Sequence, residues 1–217
     1  NLLTGATTRV STSSNGSQAS GSSYNAAISA NGRYVAFDSD ASNLVDGGDV
    51  NGATDIFVKD LQTGTMTRVS TTSDGAQASG HSYNAAISAD GRYVSFESTA
   101  SNLVAGDTNN LPDIFLKDLT TGIVTRISIA SSGTQGNGSS FKSAISADGG
   151  YVTFESYASN LVAGDSNGSW DIFVVPTALA ATLGGADTVR ASINYTLGAG
   201  LERLELQGTA DLTGSGN

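Results

Sequence analysis

The sequence contains no cysteine, which excludes disulfides, thiolate metal sites and a cysteine nucleophile. Histidine, tryptophan and methionine occur once each, and proline twice, in 217 residues. No apolar run is long enough to cross a bilayer as a helix, and no signal-peptide pattern opens the chain. Positive charge is scarce. Ten Lys and Arg stand against twenty Asp and Glu, giving a formal net charge of −10. Such a chain repels a phosphate backbone, so nucleic acid is not an expected partner. The acidic surplus suits a hard, oxygen-loving cation such as calcium.

Glycine is abundant, with 27 residues, and Ser, Thr and Asn are frequent. This composition suits short strands joined by turns rather than helices. The strands recur at a fixed period. Asp-Ile-Phe begins at Asp55, Asp113 and Asp171, two steps of 58 residues. Thr-Arg-Val/Ile centres on Arg9, Arg68 and Arg126, steps of 59 and 58. A fixed period of this length signals a repeat architecture before any local reading is made.

Each repeat carries four strand candidates, in the second copy Tyr83–Ala89, Arg92–Ser98, Asp113–Leu119 and Val124–Ile129. Asn31-Gly32, Asp90-Gly91 and Asp148-Gly149 are two-residue hairpin signals. The second-to-third connection (99–112) and the connection into the next copy (130–140) are long. In a four-stranded antiparallel meander these two connections lie at the same end, so the Asp- and Asn-rich loops gather on one face. The chain opens on the tail of a repeat, with Ala6–Thr12 expected as a lone outer strand. The third copy meets Pro176, which lacks an N–H, and no hairpin into a fourth strand follows.

Ile87-Ser88-Ala89-Asp90-Gly91-Arg92-Tyr93-Val94-Ser95-Phe96, followed by Asp113-Ile114-Phe115-Leu116-Lys117-Asp118, resembles the TolB-type, WD-like propeller repeat. The resemblance implies an all-β fold of β-propeller blades: three four-stranded repeats over residues 1–175, a linker at 176–182 and a short β extension at 183–217. Two features depart from the simplest form of that repeat, an insertion in the second-to-third loop and Ala30, Ala89 and Ala147 in place of the proline common before the turn. In the extension, Val189–Leu197 alternates as a half-buried strand does, and Leu201–Leu206 and Ala210–Thr213 follow. Asp187 to Asn217 is similar to the segment ahead of calcium-binding nonapeptide repeats in RTX-type proteins, although the nonapeptides themselves do not occur in it. That resemblance implies type I secretion of a longer protein, an extracellular location, and calcium.

The sharpest candidate site is Asp-x-Asn-x-x-x-Asp, present as Asp49, Asn51 and Asp55, then Asp107, Asn109 and Asp113, then Asp165, Asn167 and Asp171. Oxygens at this spacing can wrap a calcium ion, and they can equally form Asx-turns that start the third strand. Asp38, Glu97 and Glu155 share one repeat position, each in a different blade, where neighbouring backbone or arginine is expected to satisfy them. His81 stands where the other copies have Ser22 and Ser139, either as a symmetry-breaking ligand contact or as a loop histidine. Trp170 corresponds to Thr54 and Pro112 and is the other symmetry-breaking ligand-binding candidate.

The expected function is a secreted, calcium-binding propeller acting as a binding or scaffolding module, with no catalytic residues assigned. The alternatives are a calcium-dependent hydrolase of esters or phosphoesters and a repeat lectin. A carbohydrate or cell-surface ligand is the expected partner. Three blades are too few to close a ring, so a homodimer closing a six-bladed ring is expected, unless upstream blades in a longer chain supply the rest.

Overall fold

The computed structural model describes residues 5–177 and, beyond them, 188–191, 195–196, 203–206 and 214–215. The first blade is the antiparallel sheet β1 (Ser23–Ile28), β2 (Tyr34–Ser39), β3 (Asp55–Asp60) and β4 (Met66–Arg68). The second repeats it as β5 (Ser82–Ile87), β6 (Tyr93–Ser98), β7 (Asp113–Asp118) and β8 (Val124–Arg126). The third has three strands, β9 (Ser140–Ile145), β10 (Tyr151–Ser156) and β11 (Asp171–Pro176). β11 runs to Pro176, whose partner is Tyr151, and among the described residues no fourth strand is paired to it.

Register is conserved along with sequence. Phe37 faces Phe57, Phe96 faces Phe115 and Phe154 faces Phe173 across the two central strands. The first strand of each blade carries a bulge at a residue of positive φ: Asn25 (50°), Asn84 (54°) and Lys142 (52°). Gly32, Gly91 and Gly149 close the first hairpins at φ 70°, 79° and 72°, a conformation that costs other L-residues energy.

β6 and β7 are buried almost continuously because blades pack on both of their faces, and β2 and β3 because the second blade covers one face while Val10, Ala19 and Leu44 cover the other. Ile56, Val58 and Val69 of the first blade pack with Phe96, Phe115 and Leu103 of the second. Ile114, Leu116 and Ile127 of the second pack with Val152, Phe154 and Leu161 of the third. β10 and β11 alternate in burial, since only one face of the third blade is covered.

The lone outer strand expected at Ala6–Thr12 does not form. Thr12 makes an isolated bridge to Gln18, and Arg9 Nη1 donates to Gln18 Oε1 at 2.8 Å. The reason is that a strand needs an adjacent ladder, and the segment lies beside the first blade's face rather than along an open edge. Val10 and Ala19 pack there against a core that includes Phe37, Leu44 and Phe57.

In the C-terminal region β12 (Thr188–Ala191) pairs in parallel with β14 (Arg203–Leu206), and β13 (Tyr195–Thr196) with β15 (Gly214–Ser215). The expected strand at Ala210–Thr213 and most of the expected linker lie outside the described residues.

Candidate functional site

The repeated acidic loop runs from the end of β2 into β3 and meets the segment that follows β4. Its local shape comes from Asx-turns. Asp49 Oδ1 accepts from Asn51 N at 3.0 Å, and Asn51 Oδ1 accepts from Ala53 N at 2.7 Å. The same turn recurs at Asn109, which accepts from Leu111 N, and at Asn167, which accepts from Ser169 N.

In the first blade the two aspartates converge on one set of donors. Gln77 Nε2 donates to Asp49 Oδ1 at 2.6 Å and to Asp55 Oδ2 at 2.7 Å. Ser70 Oγ donates to Asp55 Oδ1 at 2.7 Å. Arg68 Nε lies 3.0 Å from Asp55 Oδ2 with its N–H off line, so the contact is an ion pair rather than a formed hydrogen bond. The second blade repeats the knot. Gln135 Nε2 donates to Asp107 Oδ1 (2.9 Å) and Asp113 Oδ2 (3.0 Å), Ser128 donates to Asp113, and Arg126 Nη1 stands 3.5 Å from Asp107.

Burial pushes the Asp55 and Asp113 carboxyls up, and these donors pull them partly back. A calcium ion at either loop would have to displace an arginine paired with the carboxylates and a glutamine that donates to them. The donor sets as they stand therefore fit a hydrogen-bonded knot better than a cation.

The third copy differs. Asn167 Nδ2 donates to Asp171 Oδ1 (3.2 Å) and Oδ2 (3.0 Å). No arginine, serine or glutamine equivalent to Arg68, Ser70 and Gln77 reaches it among the described residues, because those groups lie on the outer strand or just after it. Reading the acidic spacing alone missed this triad. The signal was present: Arg9, Ser11 and Gln18 recur as Arg68, Ser70 and Gln77, 59 residues on.

The carboxylates at the end of the second strands serve the bulges. Asn25 Nδ2 donates to Asp38 Oδ2 at 3.2 Å, and Asn84 Nδ2 donates to Glu97 Oε1 at 2.8 Å. Glu97 Oε2 also accepts from the backbone N–H of Lys142 in the next blade. Lys142 Nζ pairs with Glu155 at 3.2 Å. Burial is the first cause of a raised Asp38 pKa.

His81 and Trp170, the two symmetry-breaking residues, occupy different repeat positions, one ahead of a first strand and one ahead of a third. His81 Nδ1 accepts from Thr54 N at 3.0 Å, which makes Nε2 the protonated nitrogen of the neutral ring. Its ring stacks on Tyr83 with 5.6 Å between centroids and 7° between planes. Thr54 Oγ1 also donates to Asp40 at 2.7 Å. At the third blade this polar set becomes aromatic. Trp170 replaces Thr54, Tyr157 replaces Asp40, and Phe141, the counterpart of Tyr24, packs beside them. The Trp170 ring centroid lies 5.6 Å from those of both Phe141 and Tyr157. Trp170 and Tyr157 remain 50% and 51% exposed.

Three repeated antiparallel meanders, stacked face to face in one register, define the architecture. The fold is an array of β-propeller blades. No protein-family model matches the sequence, and no curated protein matches it. Solved structures do. A protein assigned as TolB from Agrobacterium tumefaciens matches with a TM-score of 0.45 and 18% identity, over 71% of this chain and 46% of its own. TolB from Acinetobacter baumannii matches with a TM-score of 0.42 and 20% identity, over 79% of this chain and 34% of its own. The β-propeller domain of the Trilobed protease from Pyrococcus furiosus, described as having an open velcro topology, matches with a TM-score of 0.39 and 12% identity, over 72% of this chain and 43% of its own. The chain spans less than half the length of each.

Proposed function

We propose that the chain is a non-catalytic binding module, in which the blades form a rigid scaffold and the third blade presents the contact surface. The observation that carries this reading is the cluster of Phe141, Tyr157 and Trp170 on the loop end of the blade, in which Tyr157 and Trp170 are half open to solvent. Aromatic rings offer a large apolar face at low conformational cost, with a polar edge from Tyr and Trp. A carbohydrate fits such a surface, since a pyranose presents a C–H face to the rings and hydroxyls to the polar edges. The alternative of a calcium-dependent hydrolase is less well supported. It would draw on the repeated carboxylates, and those of the first two blades are committed to Arg68 and Arg126 and their neighbouring amides. An extracellular, type I-secreted parent protein follows from the RTX-like C-terminal sequence and belongs to the same proposal.

Trp170 is the single tryptophan, so intrinsic fluorescence reports on this surface alone. Titration with a panel of neutral and acidic oligosaccharides is expected to give a saturable change in emission for at least one class. Asp165→Asn should leave that change in place. Trp170→Phe removes the reporter, so calorimetry on Tyr157→Ala and Trp170→Ala tests the contact itself, and both are expected to lose binding without a change in melting temperature. An unresponsive emission spectrum across the panel, or full binding by Trp170→Ala, overturns the reading.

A further inference from the structure

Each junction between blades inside the chain is built the same way twice. A tyrosine ring from one blade lies on the hairpin glycine of the next, Tyr34 on Gly91 and Tyr93 on Gly149. An N–H on the next blade donates to the carbonyl just ahead of the third strand, Ser82 N to Thr54 O and Ser140 N to Pro112 O, both at 2.8 Å. The residues of β3 and β7 that face the next blade are sealed, with Ile56 and Ile114 at 0%, Val58 at 4% and Leu116 at 6% exposure.

The two halves of this joint stand open at opposite ends of the array. On the back of the third blade Ile172 is 71% and Val174 62% exposed, and Tyr151 stands 53% exposed where Tyr34 and Tyr93 find a glycine. On the front of the first blade, a Cβ at Gly32 would meet nothing within 4 Å. Ile28, the equivalent of Ile87 and Ile145, is 61% exposed beside it.

We infer that the back of the third blade binds the front of the first blade of a second copy of this chain, head to tail, and that two copies close a ring of six blades. The partner's segment at Ala6–Thr12 pairs beside β11 as an outer strand, where none is paired among the described residues. In the first blade Phe57 pairs with Arg68, Val58 with Thr67 and Lys59 with Met66. Carried forward by the repeat, that register sets the partner's Arg9 opposite Phe173, its Thr8 opposite Val174 and its Thr7 opposite Val175. The partner's Arg9, Ser11 and Gln18 then reach Asp171 and Asp165, as Arg68, Ser70 and Gln77 reach Asp55 and Asp49. Opposite charges meet, and the third acidic loop gains the donors that the other two already have. A cavity of about 630 Å³ lined by Phe154, Leu161, Phe173 and Val175 lies beside this edge. In the second blade the corresponding core includes Val124 of the outer strand.

The segment needs no detachment to do this. Its present anchors, Val10 and Ala19 on the first blade's core and the Lys59 Nζ bonds to Thr12 O and Ser13 O, match those of Val69, Ala78 and Lys117 at the junction between the first two blades. The three described blades span only part of a circle, because propellers close with roughly 4–8. A head-to-tail contact between two copies closes with two-fold symmetry and leaves no open edge.

Sedimentation or light scattering on the full chain tests the inference, and the expected particle has twice the 21.8 kDa chain mass. Val174→Asp breaks only the back face, and Arg9→Asp with Val10→Asp breaks only the front. Each variant alone is expected to be a monomer with the circular dichroism of the parent. An equimolar mixture of the two is expected to re-form a dimer through its one intact back and one intact front. A folded monomeric parent at the highest soluble concentration overturns the inference, as does a mixture that stays monomeric. A dimer indifferent to both variants does so too. Gly32→Arg keeps the test open if Arg9→Asp with Val10→Asp fails to fold, since Gly32 lies at an exposed hairpin, and it too should dissociate the parent dimer.

Discussion

The ring of Tyr93 lies against Gly149 of the following blade, where a Cβ would fall 2.5 Å from the ring's Cδ2. Tyr34 lies against Gly91 in the same way and closer still. This contact, rather than the turn alone, binds the hairpin glycine to the packing of its neighbour. The blades are thereby joined at the first hairpin, at the carbonyl before the third strand and through the sealed apolar face between sheets.

The hairpin glycines therefore differ in what they tolerate. Ala at Gly32, Gly91 or Gly149 pays the left-handed backbone cost of about 1–2 kcal/mol. At Gly91 and Gly149 overpacking against the tyrosine adds about 1–3 kcal/mol. Urea denaturation should rank Gly91→Ala and Gly149→Ala well below Gly32→Ala when measured on a monomeric background such as Val174→Asp. Equal losses at all three would show that the ring contact contributes nothing.

Lys117 is buried and reaches back across a junction. Its Nζ donates to Thr71 O (3.1 Å), Thr71 Oγ1 (3.0 Å) and Thr72 O (2.9 Å). Burial lowers its pKa. Lys117→Met keeps the aliphatic stem and strands those acceptors, so a loss of about 1–3 kcal/mol is expected. The third blade has Val175 at this position, so Val175→Met should change the unfolding midpoint little. Thermal and urea unfolding of the two variants side by side gives the comparison.

The raised carboxyl of Asp113 has a defined pH signature. Burial makes the folded state hold this proton more tightly than the unfolded chain does. Its contribution is fully present below the ordinary aspartate pKa and is lost as pH rises through the folded value. Asp113→Asn cannot titrate. The stability of the parent relative to Asp113→Asn is thus expected to fall as pH climbs from the ordinary aspartate range to neutrality. Denaturant midpoints for both proteins across that range measure it, and a difference that is flat or rises with pH contradicts the assignment.

Calcium is expected to leave the melting curve unchanged against excess chelator. In the first two loops Arg68 and Arg126, with Gln77 and Gln135, stand where the cation's charge would be needed. Binding to the folded state would raise the melting temperature by mass action. A rise that disappears in Asp49→Asn with Asp107→Asn would put the ion among these donors and displace the knot.

The repeat, its register and the blade order were all legible in the amino-acid sequence. A period of 58 or 59 residues, Asx-Gly hairpins and β-branched central strands leave little choice of local structure, and strands at equivalent positions came out with equivalent ends. The acidic loop was legible as a motif, and its Asx-turns form as that spacing allows. Its partners were not, because Arg68, Ser70 and Gln77 lie 13 to 28 residues downstream in sequence and become neighbours only when the outer strand folds back. Tertiary structure alone also decided burial. Ile114 and Ile172 occupy the same repeat position, yet one is fully sealed and the other 71% exposed. A residue's own chain sets which face it points to, whereas the next blade decides whether that face meets protein or water. The segment at Ala6–Thr12 has the residues of an outer strand for the same reason that Met66–Arg68 does, but a strand exists only where an edge is there to pair with it.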